Sequence, residues 1–199
     1  GDIVKFGSYP QSEDADAEKT AIEWKILTKE NERILLISKY GLNCKPYYAK
    51  VKNVTWETSS LRSWLNGEFM QVAFAGDEQK RIVEITVENP DNSEYGTKGG
   101  KNTQDKIFVL SIEEAETYFA SDEERACVPT AYAIANGAWE ASNGNCWWWL
   151  RSPGRYQSFA AYVLFIGEVE ARGGGADANG LHLVVEDHYD VRPALWVDT

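Results

Sequence analysis

Trp147-Trp148-Trp149-Leu150-Arg151-Ser152-Pro153-Gly154 and Val191-Arg192-Pro193-Ala194-Leu195-Trp196-Val197 bracket the last quarter of the chain. Both stretches read as β-strands, since they are short, rich in aromatic and aliphatic residues, and bounded by Gly or Pro. On a strand, Trp147 and Trp149 face one way and Trp148 the other, so at least one face of this run must enter the core. Between the two stretches, Ala160-Ala161-Tyr162-Val163-Leu164-Phe165-Ile166 leads to Gly167, and Glu168-Val169-Glu170-Ala171-Arg172 leads to Gly173-Gly174-Gly175. A further strand-like run, Leu181-His182-Leu183-Val184-Val185, follows the turn signal Asn179-Gly180.

Small framework residues, Ala160, Val163, Gly167 and Val169, alternate here with chemically mixed ones. That pattern predicts scaffold strands over 147–199 carrying a recognition segment over 155–190. The candidate ligand-binding residues are Tyr156, Ser158, Phe159, Tyr162, Leu164, Phe165, Glu168, Glu170, Arg172, His182, Asp187, His188 and Tyr189. Aromatic members would supply contact area at low entropic cost, and the charged ones would select the partner. Phe165, Arg172 and Tyr189 are expected to be exposed, since they stand among small framework residues.

The W-W-L-R-S-P-G start and V-R-P-A-L-W-V end resemble a bacterial and phage domain with the C-type-lectin-like fold. The branch is the one that includes the formylglycine-generating enzymes, and the same frame is used by variable proteins of diversity-generating retroelements. Earlier segments carry the resemblance too: Gly1-Asp2-Ile3-Val4-Lys5-Phe6-Gly7-Ser8-Tyr9-Pro10-Gln11, Ser59-Ser60-Leu61-Arg62-Ser63-Trp64-Leu65-Asn66 and Asp105-Lys106-Ile107-Phe108-Val109-Leu110-Ser111. The resemblance implies an α+β fold with a small twisted antiparallel sheet flanked by helices. It also implies a binding face rewritten by an error-prone reverse transcriptase acting on adenines. The formylglycine-generating enzymes carry reactive cysteines in their C-terminal part, whereas this chain has no Cys after Cys146. That activity is therefore not expected here.

Composition narrows the remaining classes. At 199 residues, with 43% hydrophobic residues and eight Trp, the chain fits one folded domain over 1–199. A formal net charge of −11 disfavours nucleic acid or an anionic membrane surface as partner. No run of about 18 apolar residues predicts a membrane span. The abrupt start at Gly1, one residue before a strand, fits a chain trimmed from a longer one. The expected location is a cell surface, the secreted space or a phage particle, and the expected partner is a protein or cell-surface ligand.

Catalytic and metal chemistry finds little footing. His182 and His188 are the only histidines and lack metal-ligand spacing. Cys44, Cys127 and Cys146 form no C-x-x-C pair, and buried free thiols are the expectation. Gly173-Gly174-Gly175 lacks the Lys and Ser/Thr of a phosphate loop. Glu168 and Glu170 fall on one side of a strand, as an exposed acidic face rather than an acid/base pair. Glu88-Asn89-Pro90-Asp91-Asn92 lacks the residue order of calcium-dependent lectins, so neither metal nor cofactor is expected. Two alternatives remain open: an undiversified carbohydrate-binding module of the same fold, and a redox or hydrolytic enzyme with chemistry in a cleft.

Local signals complete the plan. Ala21-Ile22-Glu23-Trp24-Lys25-Ile26-Leu27 and Arg33-Ile34-Leu35-Leu36-Ile37-Ser38 predict a hairpin turning at Asn31-Glu32. A helix carrying Leu61, Trp64 and Leu65 is expected to start at Thr58 or Ser59 and stop at Asn66-Gly67. Ser111-Ile112-Glu113-Glu114 fits a capping box, and Pro129-Thr130-Ala131-Tyr132-Ala133-Ile134-Ala135 a short helix ended by Asn136-Gly137. Arg151 and Arg192 are read as scaffold, tied to carboxylates or carbonyls.

Overall fold

The structure, a computed structural model, describes residues 1–14, 16–50, 52–174 and 188–199. His182, Asp187, the turn Asn179-Gly180 and the run Leu181-His182-Leu183-Val184-Val185 lie outside the described residues.

The chain opens with an antiparallel meander of β1 (Ile3–Tyr9), β2 (Thr20–Glu30) and β3 (Arg33–Ser38). Alternation along β2 buries Ile22 and Trp24, and the Trp24 indole donates to the Phe6 carbonyl at 2.7 Å. The hairpin turns at Asn31, whose φ of +53° lies in the left-handed region that Asn tolerates. There follow β4 (Asn43–Cys44), α1 (Ser60–Trp64), α2 (Met70–Ala73), α3 (Gly76–Arg81), β5 (Ile82–Val83), β6 (Ile85–Val87), β7 (Thr103–Asp105) and β8 (Ile107–Phe108). The chain continues through α4 (Ile112–Tyr118), α5 (Asp122–Arg125), α6 (Ala131–Ala135), β9 (Trp148–Pro153), β10 (Ala160–Val163), β11 (Val169–Glu170), β12 (Asp190–Val191) and β13 (Ala194–Asp198).

The result is a mixed α+β fold with a curled antiparallel sheet and short helices. The first sheet runs β1-β2-β3-β13-β5, with β8 also paired to β13. The last strand thus returns beside β3, and everything between Ser38 and Ala194 is inserted into that sheet. The second sheet, β11-β10-β9-β12-β4, is built from the inserted part and is antiparallel except for β12 against β9. A hairpin of β6 and β7 carries the polar loop between Val87 and Thr103.

Two local expectations are corrected. The closing stretch is not one strand: β12 belongs to the second sheet and β13 to the first, with Arg192-Pro193 at the crossing. Pro193 has no N–H to give a ladder. The fully buried Arg192 ties the crossing down, donating to the carbonyls of Ser38 and Arg125 at 2.9 and 3.0 Å. Its guanidinium lies against the rings of Phe119 and Trp148, 5.2 and 5.0 Å from their centres. The first helix, capped by Ser59 as expected, does not stop at Asn66-Gly67 but runs on through a π turn, Leu65–Phe69, into α2. Burial of Leu65, Phe69 and Met70 favours continuing, and the Asn66 side chain is engaged elsewhere, donating to the Ile107 carbonyl at 2.8 Å.

The remaining frame behaves as the sequence predicts. Ser111 and Glu114 cap α4 reciprocally, and Thr130 caps α6, which ends before Gly137 at a φ of +108°. Arg151 forks onto the Glu114 carboxylate and also donates to the carbonyls of Val109 and Glu88.

Candidate functional site

The register of the second sheet places Tyr162 opposite Trp149 and Val163 opposite Trp148. Directly opposed residues share a face, so Trp149 and Tyr162 lie on one side and Trp148 and Val163 on the other. Trp148 and Trp149 are both fully buried, so both faces of the run are core. The Trp149 side carries a continuous set of rings. Tyr189 stacks on Trp149 at 4.1 Å between centres and meets Tyr162 edge-on at 4.8 Å. Tyr47 closes the inner end, 5.7 Å from Trp149, with its hydroxyl donating to the Arg151 carbonyl at 2.8 Å. Burial, then the charge of Glu170 across the strand, pushes the Tyr162 phenol up to about 12, opposed by a hydrogen bond with Tyr189.

This ring system surfaces at one end. Trp147 is half-buried and stacks at 4.3 Å on Trp139, which is 37% exposed. Phe165 meets Trp139 edge-on at 5.6 Å, and the Asn145 amide holds the Phe165 carbonyl at 2.9 Å. The Trp139 backbone N–H donates to the His188 carbonyl at 3.1 Å, which brings exposed His188 to the same rim. The turn after β10 completes it: Gly167 donates to the Leu164 carbonyl, and Leu164 to that of Glu168. Gly167 is required there, because its φ is +90° and any β-carbon at this position would collide with the Asp122 carbonyl. Ile166, in the same turn, is 49% exposed.

The opposite end of β10 forms a second rim. Tyr156 is 55% exposed, and the Arg155 guanidinium lies between the rings of Tyr156 and Tyr95, at 5.5 and 5.8 Å. Arg155 donates its N–H to the Arg172 carbonyl, and the Arg172 N–H donates to the Glu170 carboxylate at 3.0 Å. Ser158 is half-buried beside Phe159. The four residues of β10 separate the two rims by about 13 Å.

The predicted segment therefore divides. Leu164, Phe165, Glu168 and His188 gather at the Trp139 rim; Tyr156, Ser158, Glu170 and Arg172 gather at the other. Phe159, Tyr162 and Tyr189 are corrected: they are 7%, 7% and 1% exposed and pack in the ring system or against Tyr156. Tyr189 in particular is not an exposed contact residue, because its ring fills the space between Trp149, Trp147 and Tyr162. Arg172 is exposed as expected, and Phe165 half-buried. Sequence reasoning missed Trp139. The available signal was a lone Trp in the polar stretch after Asn136-Gly137, where no core strand or helix needs one.

Beneath the Trp139 rim lies a buried polar group. Cys127 and Cys146 pair across an isolated antiparallel bridge, with Asp190 and Arg192 nearby; all four are essentially without exposure. Burial drives the Asp190 carboxyl well above the usual carboxylate range, Cys127 adds to this, and Cys146 opposes it by hydrogen bonding. Burial also opposes ionisation of Cys127. The hydrogen bond from Cys146 and the charges of Arg192 and Lys25 outweigh it, placing this thiol below its ordinary value. Cys146 is raised by burial first, then by Cys127 and Asp190. Among the described residues, no group of three or more His, Cys, Asp or Glu side chains is placed to hold a metal ion, and no helix is long and apolar enough to cross a membrane.

Fold and site together define a mixed α+β domain whose second sheet ends in an exposed aromatic rim. Residues 31–199 match the family described as a domain of unknown function, DUF6273, and the chain belongs to that family. No curated protein and no solved structure matches it.

Proposed function

We propose that this protein is a non-catalytic ligand-binding domain of C-type-lectin-like fold, the variable protein of a bacterial or phage diversity-generating retroelement. Its partner is a protein or cell-surface ligand. The observation that carries the reading is the stack of exposed Trp139 on Trp147 with Phe165 set edge-on against it. Rings held this way offer contact area that has little freedom left to lose, and Glu168 and His188 beside them provide charge selection. The insertion of nearly the whole chain between β3 and β13 supports the fold assignment, since it brings the first and last strands into one sheet.

Two experiments test the reading. Purified protein is applied to intact bacterial cells and to arrayed cell-envelope proteins and glycans, alongside a folded Trp139→Ser/Phe165→Ser variant. Binding that the variant loses supports the reading, and undiminished binding overturns the assignment of the face. Sequencing the DNA beside the gene tests diversification. A reverse transcriptase gene and a near-copy of the 3′ end differing only at adenines are expected. A solitary gene leaves the undiversified carbohydrate-binding alternative.

A further inference from the structure

We propose that Cys127 and Cys146 form a reversible disulfide that fastens the base of the loop carrying Trp139. The two residues are partners in an antiparallel bridge, with the Cys146 N–H donating to the Cys127 carbonyl at 2.8 Å. Bridge partners of this hydrogen-bonded kind have Cα atoms about 5.5 Å apart, within the range that a disulfide spans. The Cys146 sulfur lies 3.3 Å from the Cys127 carbonyl, while the Cys127 sulfur lies 3.8 and 3.6 Å from the carbonyls of Lys39 and Val128, so a rotation of the Cys127 side chain precedes bond formation.

The surroundings favour a reactive thiolate over an inert thiol. Arg192 is fully buried with one guanidinium nitrogen unpartnered among the described residues, and it has no carboxylate in an ion pair there. An unneutralised buried cation is costly, and the charge of Arg192 favours ionisation of the Cys127 thiol. On the other side, neither Asp190 oxygen meets a hydrogen-bond donor among the described residues, and burial and Cys127 both raise this carboxyl while Cys146 opposes them. Cys44 stands opposite Asp190 across the β4–β12 pair and packs with Ala133 and Ala138.

The oxidant is a small-molecule disulfide, reached by local opening of the bridge. The Cys127 thiolate attacks one of its sulfurs, forming a mixed disulfide and releasing one thiolate, which takes up the proton Cys127 gave up. Cys146 then attacks the Cys127 sulfur, the Cys127–Cys146 bond forms, and the second small thiolate leaves with the Cys146 proton. Two protein thiols are oxidised and one small disulfide is reduced to two thiols. The closed loop contains α6 and Trp139, and Trp147 follows directly after Cys146. Oxidation therefore fixes the support of the exposed ring stack, whatever ligand that stack meets.

The test is equilibration of the reduced protein with oxidised glutathione, both folded and during refolding, followed by alkylation and peptide mapping. The expected result is a Cys127–Cys146 cross-link with Cys44 still alkylated. Melting should rise by on the order of 5–10 °C, with slower amide exchange over residues 128–145, both reversed by dithiothreitol. A Cys44→Ser variant should behave identically, and Cys146→Ser should lose the effect. Thiols that stay free under both conditions, a cross-link to Cys44, or a cross-link that lowers the melting temperature would each overturn the proposal.

Discussion

Trp139 and Trp147 lie nearly parallel, with ring centres 4.3 Å apart and planes inclined by 22°. One ring of the stack is exposed, and the other, half-buried, packs against the core. A stack of this kind contributes about 0.5–1.5 kcal/mol beyond area burial. Trp139→Ala should therefore lower stability by about 1 kcal/mol while removing most of the binding. Urea unfolding beside a binding assay checks both. A loss of several kcal/mol would make Trp139 part of the frame instead.

Trp148 gives the contrasting case. It is fully buried, edge-on to Phe119 and under the Arg192 guanidinium. Trp148→Ala should cost about 3–5 kcal/mol, whereas Trp196→Ala should cost less, since Trp196 is only partly buried. Equal effects in chemical denaturation would contradict this ordering.

Tyr189 and its neighbour His188 separate frame from surface within two adjacent residues. Tyr189→Ser removes a ring that contacts Trp147, Trp149 and Tyr162, and should destabilise by about 3 kcal/mol or more. His188→Ser and Arg172→Ser, at exposed positions, should stay within about 0.5 kcal/mol. If the protein is diversified, recoded positions should accordingly include Tyr156, Phe165, Arg172 and His188 but spare Phe159, Tyr162 and Tyr189.

The strands and caps were legible in the sequence because their causes are local. Alternation set β2, Asn31 set the turn, and Ser111 with Glu114 set the start of α4. What was not legible depends on distant partners. Tyr189 looked like an exposed ring among small residues, and only the stacking of Trp149 from a strand far away in sequence places it inside. Asn66-Gly67 carried a stop signal that burial of Phe69 and the contact with Ile107 override. Arg192-Pro193 looked continuous with its flanking apolar residues, yet the buried guanidinium makes it the crossing between sheets. Within the candidate segment, depth was the hidden quantity, because exposure is decided by neighbours that alternation along one strand does not reveal.

Arg192 holds two carbonyls, Ser38 and Arg125, while lying between Phe119 and Trp148. A lysine ammonium is a compact point charge and cannot serve both carbonyls and keep the flat contact with the rings. Arg192→Lys should therefore lower stability by about 2 kcal/mol or more, measured by thermal or urea unfolding. Unchanged stability would show that the planar fork is not what holds the crossing.

Asp190 leads to a prediction with a definite sign in pH. Its carboxyl sits with no exposure, and burial raises its folded-state value well above the 3.8 of an ordinary aspartate. The folded protein then binds the proton more tightly than the unfolded chain does. Stability from this group is fully present below the unfolded value and falls as pH rises from about 4 toward the folded one, because the proton is lost earlier from the unfolded state. An asparagine in its place would imitate the protonated carboxyl and carry no such penalty, so the effect of Asp190→Asn on stability should grow more favourable as pH increases. The measurement is the difference in melting temperature between Asp190→Asn and the parent protein across pH 4 to about 8, with both kept reduced so that Cys127 and Cys146 stay free. A difference that does not vary with pH would mean that the carboxyl is ionised in the fold and held by a charge that burial alone does not account for.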